Sequence, residues 1–446
     1  MKASKFRTRM SRRQFLETAA GFTITAGAAC RVWGSSTATY YQGKCLVTLQ
    51  LDGGADVTQL CDPKVNTPGE PKINNWADWL EPGQAGNINF APIADNEWLF
   101  NRFGLDMLIV NGIDAQTNSH ETGKLFNWTG SNAEGKPSLS ALHAAYNSPD
   151  QPLAYAVFGG TSRTSGIIGY NRFDDITLLR TLSQPRVQAW SGQAKRSQKE
   201  FDRIDQIVAA ETSRFLQSSE LSPRRLQNLE RYQLARSNRL ALKTLAEVLP
   251  SDDGVLPANM INAGGMEFWD NLKQQMQGSL LIFKSGLGSS ADLSFGGFDS
   301  HENHDEIHEQ LYFHLADAIG FFWEYAEQLE IADRILLVIG SDFGRTNFYN
   351  DGDGKDHWPV GSCIIMEKNA LWGNRVVGVT DELHFAKRID PVTLKESANG
   401  VLLTPAHIHK ALQTYMGLDQ YAQEMGFGLT NTESLPLFDH TLHSLG

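Results

Sequence analysis

"RILLVIGSDFGRTNFYNDGDGKDHWPVGSCIIM", residues 334–366, sets a polar loop between two apolar runs. Ile335 to Ile339 and Cys363 to Met366 stay apolar without alternation, as strands do when a sheet is covered on both faces. Similar runs recur as "CLVTLQL" (45–51), "DMLIVNG" (106–112) and "LAYAVF" (153–158), with helical patterns between them. Strands alternating with helices predict an α/β sandwich. In open α/β sheets ligands gather beyond the carboxyl ends of the strands, so the residues after each run carry the functional information.

Residues 1–38 read as an address and stand outside the fold argument. "SRRQFL" (11–16) carries paired arginines, as twin-arginine export signals do, and the apolar stretch Ala19 to Ala29 follows it. "STA" (36–38) offers a small-x-small cleavage site, and Cys30 is an alternative point of lipid attachment. The expected location is therefore the periplasm or beyond, with residues 39–446 as a single domain. No other segment is long and apolar enough to span a bilayer.

The whole chain carries a formal charge of −12. Residues 1–38 hold seven basic residues and one acidic one, so the remainder has 32 basic against 50 acidic residues. Such a surface disfavours nucleic acid and anionic membranes as partners. An anionic ligand then needs local positive charge. Cys45, Cys61 and Cys363 remain beyond the leader, an odd number that excludes a complete disulfide framework. Cys45 and Cys61 are a candidate pair, and Cys363 reads as a buried small hydrophobe. Residues of about 191–250 are charged and rich in Gln and Arg with helical periodicity, predicting an inserted pair of long helices.

Carboxylates and imidazoles recur at the strand ends. Asp52 and Asp56 follow the first run, in "DGGAD". Asn118, Ser119 and His120 precede a helical pattern after the second. Asp299 and His301 follow "ADLSFGGF"; Asp342 and Arg345 follow "ILLVIG"; and His357 is returned by the turn "DGDGKD". Mixed nitrogen and oxygen donors suit a divalent metal, zinc first, with magnesium, manganese or calcium as alternatives. Ser119 has two readings: a helix N-cap, or a hydroxyl that a nearby metal activates at the positive end of the helix dipole. Arg345 offers a planar fork for a phosphate or sulfate oxygen. His304 and His308 sit at i and i+4 on one helical face, either as ligands or as packing residues. Asp351, Asp353 and Asp356 match a calcium loop only loosely, because Lys355 takes a ligand position.

"SDFGRT…DHWP", "GGFDSHENH", "PIADNEWLF" and "NGIDAQTNSHETG" behind a twin-arginine leader resemble an uncharacterised bacterial family, a domain of unknown function grouped with the alkaline phosphatase and sulfatase superfamily. The resemblance spans roughly residues 44–430. It implies a three-layer α/β/α sandwich with a mostly parallel sheet, and one or two divalent metals held by Asp52 or Asp56, Asp299, His301, Asp342 and His357. Ser119 would be the hydroxyl at the helix start, beside His120 and Arg345 in the catalytic group. The chain departs from that superfamily at two places: Phe343 follows Asp342 where phosphatases carry a histidine, and Asn303 holds the histidine place of D-x-x-x-H. Cys61-Asp62-Pro63-Lys64-Val65 misses the final arginine of the formylglycine motif.

These readings lead to an exported metal-dependent hydrolase of phosphate or sulfate esters, not of the formylglycine type. Its expected substrate is a small anionic ester or a sulfated or phosphorylated glycan. The alternative is a non-catalytic envelope protein that binds a glycan or a protein partner on the same fold.

Overall fold

A computed structural model of the chain describes residues 40–64, 81–160, 162–184, 195–216, 241–251 and 254–441, with isolated positions between 222 and 238. The leader residues Ser11 to Leu16, Cys30 and Ala38 lie outside the described residues.

In chain order the strands are β1 (Cys45–Leu51), β2 (Gly83–Ala85), β3 (Ile88–Phe90), β4 (Met107–Asp114), β5 (Tyr155–Val157), β6 (Asn171–Arg172) and β7 (Asn259–Ala263). They continue with β8 (Met266–Asp270), β9 (Ser290–Phe295), β10 (Ile335–Ser341), β11 (Gly344–Arg345), β12 (His357–Trp358), β13 (Val360–Glu367) and β14 (Arg375–Val377). Eight of them form one sheet in the order β14-β4-β13-β10-β1-β9-β5-β6. β1 pairs in parallel with both β10 and β9, and only β13 runs against its two neighbours, β10 and β4. The predicted sandwich with a mostly parallel sheet is the observed fold.

The period of two along each strand explains the three layers. Val47, Leu49, Leu337, Ile339 and Ile109 enter one core with the helices Asn96–Phe103, Leu272–Lys284 and His304–Gln328. Leu46, Leu336, Leu108 and Val110 enter the other, under the helix Pro405–Tyr415. The alternate side chains of one strand are thus apolar because both faces are roofed.

The antiparallel β13 has a functional consequence. Parallel strands bring the loop after each strand to the carboxyl rim, whereas β13 brings the loop before it. His357 reaches the rim with Asp299 and Asp342 for that reason. The helix Gln198–Leu216 and the helical residues 241–248 fall within the expected insertion, and most residues between them lie outside the described ones. Cys45, Cys61 and Cys363 are all free and buried, so the candidate Cys45–Cys61 pair is not bridged. No helix among the described residues is long and apolar enough to cross a membrane.

Candidate metal centre

Two close backbone approaches assemble the rim. Gly53 and Gly54 have φ of +117° and +86°, and a Cβ at Gly53 would lie 2.4 Å from the Asp299 nitrogen. Only glycine fits there, so the loop after β1 lies directly on the loop after β9. The freed N–H groups of Gly53 and Gly54 donate to Asp342 Oδ1 at 3.2 and 2.8 Å. Gly123 plays the same part on the helix His120–Thr129, where an added Cβ would meet the Asp342 carbonyl oxygen at 2.4 Å. The helix therefore packs against the end of β10, and its first residue, His120, reaches Asp342.

Three imidazoles face one carboxylate. His357 Nδ1 donates to the Asn118 carbonyl oxygen at 2.8 Å. A carbonyl only accepts, so the neutral ring carries its proton on Nδ1 and presents a bare Nε2. His301 Nδ1 meets Asp356 Oδ1 at 3.0 Å, and His120 Nδ1 meets Asp342 Oδ2 at 2.6 Å, each donating to a carboxylate. All three Nε2 atoms then point at Asp299. The separations are 3.1 Å from His301, 3.2 Å from His357 and 3.5 Å from His120. His301 Nε2 and His357 Nε2 are themselves 3.1 Å apart.

Acceptor facing acceptor at hydrogen-bond distance needs a proton or a cation between them. His120, Asp299 and His357 offer ligand atoms that all lie within 4.8 Å of one another. Two imidazoles and one carboxylate at that spacing, with His301 beside them and each imidazole held through its other nitrogen, are the donor chemistry of a divalent-metal site. The residues present fit a divalent metal.

Charge around the cluster is arranged to keep Asp299 ionised. Partial burial alone would raise its carboxyl, but the Arg345 guanidinium, then His120 and His357, outweigh that and hold it below the usual range. The hydrogen bond to Asp342 is the largest influence on His120 and raises its imidazole against the effect of burial. Asp356, about half exposed, is held low by the hydrogen bond from His301, then by that from Asn350.

The remaining expected residues take supporting positions. Asp342 is fully buried; its Oδ1 accepts from Gly53, Gly54 and Ser341, and its Oδ2 holds His120. Its contacts orient a ring and do not offer a free oxygen to a cation. Asp52 is paired with Lys124 at 3.2 Å, and burial raises its carboxyl more than that lysine lowers it. Asp56 is buried, with Oδ1 capping Thr58 and Oδ2 accepting from Lys355 at 2.7 Å and His304 at 2.9 Å. It belongs to an interior network. His304 and His308 do share one helical face, with ring centroids 4.0 Å apart, and both are buried: His304 in that network, and His308 beside it with its Nε2 on the Phe298 carbonyl oxygen at 3.2 Å.

Arg345 is also fully buried, donating to the carbonyl oxygens of Gly53, Gly54 and Lys355 and to Asp299. Its fork grips the loops and one carboxylate, with no face left for an outside anion. Ser119 precedes the helix at its N-cap; it is exposed, and its side chain makes no cap hydrogen bond. Asp351 and Asp353 are exposed in a turn that Asn350 Oδ1 closes by accepting from the N–H groups of Gly352 and Gly354. Sequence reasoning missed Asp356 and the Asn118 carbonyl as supports of His301 and His357. The Asp-His adjacency at 356–357 was visible, but the carboxylate serves a histidine 55 residues away, not its neighbour.

A family model described as "Protein of unknown function (DUF1501)" matches residues 44–423. A solved structure from Bacteroides thetaiotaomicron, described with the metabolism of multiple glycosaminoglycans, shares 9% identity. The match covers 85% of this chain and 74% of that one, with a TM-score of 0.40. A sulfatase from Pseudoalteromonas sp. shares 9% identity over 77% of this chain and 66% of its own, with a TM-score of 0.33. Alkaline phosphatase from the Antarctic bacterium TAB5 shares 7% identity over 75% and 95% respectively, with a TM-score of 0.31. No curated protein matches the sequence.

Proposed function

The chain belongs to the DUF1501 family of proteins of unknown function, and on that premise we propose that it is an exported metal-dependent hydrolase of phosphate or sulfate esters. One observation carries the reading: three imidazole Nε2 atoms converge on Asp299 while each Nδ1 is held by an outer acceptor. His120, His301, His357 and Asp299 would hold the metal. Asp342, Asp356 and the Asn118 carbonyl fix the rings, and Arg345 fixes Asp299.

A bound divalent cation supplies Lewis acidity toward an ester oxygen and lowers the pKa of a hydroxyl or water beside it. The chain supplies the rest. Ser119, unbonded and exposed at the start of the helix, offers a nucleophilic hydroxyl next to His120. The N–H groups of the first helical turn and the positive end of the helix dipole receive the anionic oxygens. The substrate is a small anionic ester or a sulfated or phosphorylated glycan, and the twin-arginine leader would carry the folded protein to the periplasm or beyond.

Phe343 favours a second reading. Its ring lies 4.8 Å from that of His120 and 4.6 Å from that of His357, covering one side of the cluster with an apolar face. A protein that binds a glycan or partner through this rim without turnover would keep the same arrangement. Metal analysis of protein purified from a twin-arginine-competent host, beside His357→Ala and with aryl phosphate and aryl sulfate as substrates, separates the two. Stoichiometric zinc that the variant loses, with turnover of either ester, supports the hydrolase. Metal without turnover supports the binding protein, and native protein without metal overturns both as metal proteins.

A further inference from the structure

Three strand-end aspartates carry a basic partner: Asp299 holds Arg345, Asp56 holds Lys355 and Asp52 holds Lys124. Arg345 and Lys355 are fully buried, out of reach of an outside anion. Lys124 differs. Its side chain is 26% exposed, and its ammonium stands 3.2 Å from Asp52 Oδ1 but out of line for a hydrogen bond. Among the described residues Asp52 is its one ion-pair partner, so donors of the ammonium stay open.

Two sides fix where that ammonium lies. Lys124 comes one turn after His120 on the same helix, with roughly 5–6 Å between their Cβ atoms. Helical side chains lean toward the N-terminus, which carries the Lys124 stem toward His120 and the rim. On the other side, Asp52 precedes Gly53, whose N–H donates to Asp342 and whose Cα leaves no room for a Cβ against the Asp299 nitrogen. The ammonium therefore stands beside the cluster, and its charge is among those felt by the His120 imidazole. Burial would lower the ammonium itself, but the charge of Asp52 outweighs that and raises it, so Lys124 is protonated.

The balance of charge limits what can bind there. Asp52, Asp299, Asp342 and Asp356 bring four negative charges, and Lys124 and Arg345 bring two positive ones. A divalent cation held by the imidazoles would supply the other two, leaving the rim neutral. An anion then meets no surplus of positive charge beyond the one open ammonium. The cost of desolvating an ion grows with the square of its charge, and the acidic chain repels anions at long range. Both effects disfavour a dianion far more than a monoanion. We propose that Lys124 receives the anionic oxygen of the substrate and restricts this site to singly charged esters, that is, sulfate monoesters or phosphodiesters. The charge balance rests on the metal reading above; the contact rests on Lys124 itself.

The test titrates benzenesulfonate and phenylphosphonate into the zinc-loaded full chain by calorimetry, at about pH 8.5, where lysine keeps its charge. Each probe is a ring with a tetrahedral head and no ester bond to cleave, but the sulfonate bears one charge and the phosphonate two. Native protein should bind the sulfonate saturably and the more tightly of the two. Lys124→Met should weaken it about tenfold with zinc per folded molecule unchanged, and Lys124→Arg should keep most of the affinity. Tighter binding of the phosphonate overturns the proposal. So does a Lys124→Met protein that binds the sulfonate as the native chain does, or a native chain that binds neither probe. Turnover of 4-nitrophenyl sulfate or of bis(4-nitrophenyl) phosphate tells which singly charged ester is used. The same binding preference with turnover of neither upholds the role of Lys124 and removes the hydrolase. Should Lys124→Met fail to fold, Lys124→Gln takes its place.

Discussion

Two clusters of aspartate and histidine lie in adjoining loops and have opposite characters. At the rim, His120, His301 and His357 surround Asp299, which is half exposed, and their inward nitrogens meet only acceptors. In the interior, Asp56, His304 and Lys355 are fully buried, and the ammonium of Lys355 supplies the positive charge. Each Asp56 oxygen there has its own donors, and burial is outweighed by Lys355 and His304, holding the carboxyl well below its ordinary range. The same residue types thus make a closed structural core where every partner is a donor, and a half-open site where Arg345 grips one side of the carboxylate and three imidazole nitrogens face the other.

The comparison breaks most visibly if the interior lysine is removed. Lys355→Met leaves a buried carboxylate without its partner and should cost about 3–5 kcal/mol in denaturant unfolding. Zinc bound per folded molecule should stay the same. A variant as stable as the native chain would show that Lys355 does not hold the interior together.

Acid should sharpen the contrast next. His143, His384 and His409 are buried, with pKa values lowered by burial to about 3, 4 and 4. Their contribution is complete above the unfolded value of about 6.5 and is lost as pH falls toward 4. Asp292 acts in the opposite sense: burial raises it to about 6, so protonation below that pH favours the fold. His304 and His308, also buried and lowered, add to the histidine side, while Asp52 joins Asp292 on the other. The histidines outnumber the raised carboxyls, so the unfolded chain holds more protons between pH 6 and 4 and stability should fall as pH drops through that range. Denaturant midpoints across that range check the sign, and a flat profile would contradict it.

At the rim the expected effects move metal rather than stability. Asp356→Asn loosens His301 without replacing a proposed ligand, and should weaken zinc binding 10–100-fold, read by competition with a chelator. An unchanged affinity would remove Asp356 from the site. The smallest effect on folding belongs to Ser119→Ala. Its hydroxyl makes no cap bond, so unfolding free energy should change by less than about 0.5 kcal/mol while ester turnover is lost. Retained turnover would transfer the nucleophile's role to water.

Much of the fold was legible because its signal is local. "CLVTLQL" and "ILLVIG" announce doubly covered strands, and the loops after them hold the polar residues. Asp299, His301 and His357 were legible as candidate ligands from their places at strand ends. The role of His120 was not, nor the separation of Asp56 from the rim. His120 meets Asp342 across 222 residues of chain, and Asp56 meets Lys355 across 299. No spacing rule reaches that far.

By itself the sequence determined the long apolar strands at the centre of the sheet, that helices roof both of its faces, and which end of it collects carboxylates and imidazoles. Those outcomes follow from side-chain periodicity and strand direction, which neighbouring residues dictate. Only the tertiary structure decided which carboxylate meets a lysine and which meets three imidazoles. It also decided which nitrogen of each ring is left bare, because a histidine's proton goes to whichever acceptor the packed chain sets beside it.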